Sequence, residues 1–194
     1  MVRLLAPVLI LGLAVSCMKA PDPDVGLRQA QSGSGAAAST PEPEGEVERP
    51  VVTLASLDGW ETKQPAMDFQ LASWDLPGGG AATISWLGPS KETIAMNLDR
   101  WLGQWQTENG EPSQDGEITP DAEGNLPFTF VRVAGTLTDV RQVGGGEPRA
   151  DWVLLGAIVD SPKGPLYVKA VGPNAELGAQ AEAFIAAVRK IEVQ

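Results

Sequence analysis

The stretch Trp152-Val153-Leu154-Leu155-Gly156-Ala157-Ile158-Val159-Asp160-Ser161-Pro162-Lys163-Gly164-Pro165-Leu166-Tyr167-Val168-Lys169-Ala170-Val171 contains two runs of strand-forming residues joined by a turn. Aliphatic, β-branched and aromatic side chains fill 152–159 and 166–171, and Asp, Ser, Pro and Gly at 160–164 reverse the chain between them. The pattern predicts an antiparallel hairpin. Downstream, Asn174 is placed to cap a closing helix whose Leu177, Ala181, Phe184, Ile185 and Val188 share one face. Upstream, Gly144-Gly145-Gly146 breaks the chain, and residues 128–137 read as a further strand. Residues 108–124 read as polar loop. Before that loop, Pro89-Ser90 opens a helix, with Ser90 as N-cap and Ile94, Leu98, Trp101, Leu102 and Trp105 as an apolar stripe. Strands are predicted at 51–54, 66–74 and 81–87, the last two divided by the turn Pro77-Gly78-Gly79-Gly80. The order is strands, helix, strands, helix. It predicts an α+β domain, a mostly antiparallel sheet flanked by two main helices, rather than a doubly wound parallel sheet.

That domain spans 51–194, a length that fits one core. What precedes it has a different composition. Residues 18–50 are Pro, Gly, Ser, Ala and Glu with almost nothing to bury, so 17–50 reads as a disordered tether. Residues 1–16 read as a signal peptide: Arg3 supplies a positive start, and 4–15 is an uncharged apolar run too short to span a bilayer, which takes about 20 residues. The segment Leu13-Ala14-Val15-Ser16-Cys17 resembles the lipobox of bacterial lipoproteins. Ala14 stands where that family usually has leucine. The resemblance implies cleavage after Ser16, a diacylglyceryl group and an amide-linked acyl chain (such as palmitate) on Cys17, and several acyl chains together hold a protein firmly to a membrane. Met18 follows in place of the aspartate that family uses for inner-membrane retention, which points to the outer membrane, facing the periplasm.

Composition removes several function classes. The chain has no histidine, which excludes Ser-His-Asp and Cys-His catalysis and His-ligated zinc or haem. Its one cysteine excludes a disulfide within the domain. The formal net charge is −11, and from Val51 onward 10 Lys and Arg stand against 19 Asp and Glu, so no nucleic-acid partner is expected. Gly144-Gly145-Gly146-Glu147-Pro148 lacks the Lys-Ser/Thr ending of a phosphate loop. The acidic stretch 114–124 suggests a cation superficially, but its spacing does not follow the EF-hand, and no metal or cofactor is expected. Six tryptophans (Trp60, Trp74, Trp86, Trp101, Trp105 and Trp152) read by default as core.

The most distinctive segment is Asn97-Leu98-Asp99-Arg100-Trp101-Leu102-Gly103-Gln104-Trp105. Helical spacing places Asn97, Arg100 and Gln104 on one side as a polar stripe. Two amides and a guanidinium can hold a carboxylate, a sugar or a partner's backbone. Alternatively, Arg100 pairs with a sheet-edge carboxylate and the amides tie down a loop. Together with Gly164-Pro165-Leu166-Tyr167-Val168-Lys169-Ala170-Val171-Gly172-Pro173, the segment resembles a family of bacterial envelope proteins common in planctomycetes, which carries an Asn-x-Asn-Arg-Trp-x-x-Gln helix and a late aromatic-x-Lys-x-x-Gly-Pro strand end. Asp99 replaces the second asparagine. The layout is similar to the α/β/α sandwich of the photosystem PsbP subunit and of a nuclear Ran-release factor, and implies a binding or assembly role.

Two functions are carried forward. One is a membrane-anchored, non-catalytic binding or assembly module whose partner is an envelope protein or a small ligand. The other is a hydrolase of envelope glycans using carboxylates alone, with Asp68, Asp75 and Asp151 as candidates.

Overall fold

The computed structural model describes residues 48–113 and 116–194. The signal peptide, Cys17 and the tether as far as residue 47 lie outside them, as do Gln114 and Asp115 of the acidic stretch. Among the described residues no helix is long and apolar enough to cross a membrane.

The chain forms β1 (Val52–Thr53), β2 (Glu61–Lys63), β3 (Gln70–Leu76), β4 (Gly80–Trp86), α1 (Thr93–Leu102), β5 (Trp105–Gln106), β6 (Glu117–Asp121), β7 (Phe128–Leu137), β8 (Arg149–Ser161) and β9 (Gly164–Pro173). It closes with α2 (Asn174–Leu177), a 3-10 turn, α3 (Ala181–Arg189) and β10 (Glu192–Val193). The main sheet has eight strands in the order β2-β3-β4-β9-β8-β7-β5, with β6 also on β7, and every pairing is antiparallel. The predicted α+β class is the observed one.

Strand alternation splits the interior into two cores. Val153, Leu155, Ala157 and Val159 of β8 pack on one face with Phe184 and Val188 of α3. Trp152, Leu154 and Ile158 of the same strand face the other way and join Trp101 of α1, Trp105 and Tyr167. The two helices therefore cover opposite faces of one sheet.

Contacts define two poles. At the first, the chain enters: Glu48 bridges to Lys163 in the β8–β9 turn, Arg49 donates to the Gln70 carbonyl, and the Val51 and Gln194 backbones exchange hydrogen bonds of 3.0 and 2.9 Å. The opposite pole gathers the end of α1, the end of β7 and the start of α2.

Several local expectations are corrected. α1 stops at Leu102, where the Gly103 N–H closes on the Asp99 carbonyl at 2.9 Å, so Trp105 lies on β5 and not on the helix. The Ser90 hydroxyl accepts from the Glu92 N–H at 3.2 Å and caps the turn ahead of α1, not the helix itself. Asn174 is the first residue of α2, after Pro173, and offers no cap through its side chain. Within 108–124, read as loop, Glu117–Asp121 pairs along β7 as an edge strand; Pro120 is tolerated there because an edge leaves one side without a ladder.

Gly156 sits where α1 crosses the sheet. A Cβ on it would fall 2.5 Å from Cζ3 of Trp101. Gly156→Ala is therefore expected to push Trp101 off its seat and to destabilise the fold by about 1–3 kcal/mol, read as a lower denaturation midpoint. An unchanged midpoint would mean that the indole has room to yield.

Candidate functional site

α1 is pinned at its start by a 2.7 Å hydrogen bond between the hydroxyls of Thr93 and Tyr167. One turn on, Asn97 is buried, at 5% exposure, and spends its amide inside the helix. Its Nδ2 donates to the Thr93 carbonyl at 2.8 Å, and its Oδ1 accepts from Arg100 at 2.8 Å. Asn97 thus orients Arg100 instead of facing solvent. Arg100 is exposed, and among the described residues it forms no ion pair with a carboxylate.

Gln104 follows the helix as part of the turn into β5 and is spent in four directions. Its backbone carbonyl accepts from the Thr138 N–H at 2.9 Å and the Thr138 hydroxyl at 2.8 Å. Its Nε2 donates to Asp139 at 3.1 Å, and its Oε1 accepts from the Lys169 ammonium at 2.5 Å. Asp139 also receives Arg141 bidentately, from Nε and Nη2, each at 2.7 Å. That fork holds the Asp139 carboxyl down at about 2, with a smaller pull from Lys169.

Lys169 is the least expected member. It stands on β9 between Tyr167 and Val171, which face the α1 core, and is only 8% exposed. Its register partners are Gly156 on β8 and Thr83 on β4. Burial brings its pKa down to about 7, the Arg100 charge pushes it the same way, and Asp139 pulls it back up.

Around these groups is an open cleft of about 540 Å³, lined by Arg100, Gly103, Gln104, Thr138, Asp139 and Arg141. Of the predicted stripe, Arg100 and Gln104 reach the cleft and Asn97 supports it from below. Thr138, Asp139, Arg141 and Lys169 were not anticipated; a lysine inside an otherwise apolar strand was the available signal.

A second cavity, of about 560 Å³ and mostly apolar, lies at the other end of α1 among Lys91, Ile94, Pro120, Phe128 and Ile158. The Asp121 and Asp160 carboxylates on its rim are both engaged, by Arg189 at 2.7 Å and by Lys91 at 2.7 Å. The Arg189 hydrogen bonds keep the Asp121 carboxyl below its ordinary range, the opposite of what a general acid needs. The three carboxylates singled out in the sequence line neither cavity. Asp68 is exposed before β3, Asp75 pairs with Lys63, and Asp151, at φ 54°, accepts from the Asn174 amide at 3.3 Å. In the acidic stretch, Asp121 and Glu123 both hold Arg189. Among the described residues no group of three or more acidic side chains is placed to hold a metal ion.

The segments 97–105 and 164–173 meet here, through Lys169 and Gln104 and through the rings of Tyr167 and Trp101. No protein-family model matches the chain, and no curated protein matches it in sequence.

Proposed function

We propose that this chain is a lipoprotein of the bacterial cell envelope, anchored through Cys17, whose α+β domain is a non-catalytic binding or assembly module. The anchor reading is supported by the lipobox-like segment and the short apolar run before it. The binding reading is carried by one observation: an open cleft with Arg100 and Arg141 at its mouth, at the pole away from where Glu48 enters the domain. The glycan-hydrolase alternative finds less support, because its three carboxylates stand apart from both cavities. We place the protein at the outer membrane, facing the periplasm.

Cell fractionation tests the anchor. Cys17→Ser is expected to move the protein from the membrane to the soluble fraction with its melting curve unchanged. A Cys17→Ser protein that still sediments with membranes rules the lipid anchor out. Crosslinking in intact envelopes tests the binding role: Arg100→Ala should lower the yield of the adduct formed by the parent, and equal yields would remove the cleft from that role.

A further inference from the structure

The chain is strongly acidic, yet among the described residues this cleft is lined by Arg100 and Arg141 against one acid, Asp139, with Lys169 behind Gln104. Their donors are largely unspent. Arg100 gives one N–H to Asn97, Arg141 gives two to Asp139, and Lys169 gives one of its three to Gln104. Arg141 is 88% exposed and turns its remaining nitrogen away from that fork. Among the described residues the Lys169 ammonium forms no ion pair with a carboxylate: Gln104 stands between it and Asp139, bonded to both. A buried cation without a counter-ion is costly, and an apolar residue between Tyr167 and Val171 would fit the surrounding core better. Among the described residues this group carries more positive than negative charge, and Arg100 and Arg141 present theirs to an open cleft.

We propose that the cleft is an oxyanion site, in which a phosphoryl, sulfuryl or carboxylate group sits between the guanidiniums of Arg100 and Arg141, with the Lys169 ammonium as the third cation behind Gln104. The proposal rests on the binding reading above and names its ligand class. Guanidinium forks suit such a group because they donate paired N–H bonds to two of its oxygens. Among the described residues the ionisable groups facing Lys169 are Arg100 from α1, Asp139 from the loop after β7, and Tyr167 on its own strand; β8 and β4 present Gly156 and Thr83. An anion in the cleft favours the protonated lysine, so binding takes up a proton wherever free Lys169 has lost it. Affinity must then fall as pH rises above about 7.

Isothermal titration of the detergent-solubilised full chain tests this, with sulfate as the probe because its charge is constant over the range. Acetate in parallel separates a carboxylate ligand from a tetrahedral one. We expect sulfate to bind at about pH 6 with a Kd of about 1 mM or tighter. Binding should weaken by about tenfold per pH unit above 7, with proton uptake visible as a heat that depends on the buffer. Arg100→Ala should abolish binding. Lys169→Met should weaken it and remove the pH dependence; being apolar and of similar size, that variant is expected to fold. Absence of binding by both anions at about 10 mM overturns the proposal, and so does sulfate binding that Arg100→Ala and Lys169→Met leave unchanged. Neither result touches the anchor, which fails only by the fractionation of Cys17→Ser.

Discussion

Replacing Trp101 with alanine is expected to cost about 3–5 kcal/mol of stability, among the largest losses available to a single substitution in this domain. The indole is 2% exposed, lies on Gly156, and meets Tyr167 edge to face at 6.3 Å. Its removal leaves a hole over Gly156, which has no side chain to fill it. It also unroofs Gly156, the register partner of Lys169, so water reaches the ammonium. The Lys169 pKa should then climb from about 7 back toward its ordinary 10.5. Denaturant unfolding reads the first effect, and pH titration of the lysine side-chain resonances reads the second. A variant that loses stability but keeps a depressed Lys169 would show that Trp101 does not keep water from the amine.

Lys169→Met should act in the opposite direction, and its size should depend on pH. In the unfolded chain Lys169 keeps its proton up to about 10.5; in the folded chain it gives it up at about 7. Between those values the unfolded state binds more protons, so the parent gains stability as pH rises, by at most about 1.4 kcal/mol per unit. Below about 7 both states are protonated and the full cost of burying the ammonium is present. The methionine protein should therefore be the more stable one at about pH 6, by up to about 5 kcal/mol, with the gap closing toward pH 10. Loss of the donor to Gln104 offsets roughly 1 kcal/mol of this. Guanidinium melts across that range measure it. Curves of parent and variant that stay parallel would mean that Lys169 keeps its proton in the folded protein across that range, with its pKa undepressed.

The central hairpin and β7 were legible in the sequence because their side chains are uniformly of the kind a pleated, buried surface accepts. Residues 128–137 were predicted with both ends correct. β2 and β6 were not, for one shared reason. Glu61-Thr62-Lys63 and Glu117-Ile118-Thr119-Pro120-Asp121 are edge segments whose side chains lie mostly in water, so they carry almost no apolar alternation. They are strands because a neighbour offers its ladder, which no local pattern records. Trp105 was assigned to the helix because it continues the apolar spacing of Ile94, Leu98 and Trp101; Gly103 ends the helix first, and the indole is buried from a strand instead. The polar stripe was half legible for the same reason. Arg100 lies on the helix as predicted, but Gln104 reaches the site from a turn, held by Thr138. Lys169 comes from the middle of β9, and Asp139 and Arg141 from the turn after β7, and helical periodicity cannot speak for them.

The ladder between β4 and β9 has a consequence for how the chain is made. β2, β3 and β4 pair as neighbours in sequence, and so do β7, β8 and β9. The seam between these two meanders joins residues 80–90 positions apart, such as Trp86 with Leu166 and Ala81 with Val171. Local hairpins close quickly, whereas such distant pairing is slow. During synthesis from the N-terminus, the β3–β4 hairpin therefore emerges with the inner edge of β4 open and with Ala82 and Ile84, buried in the finished fold, still uncovered. Until β9 arrives, that edge is a template for a second nascent chain. A product truncated before Gly164 retains its early hairpins but not the strand that closes them, so the last 31 residues decide between folding and aggregation.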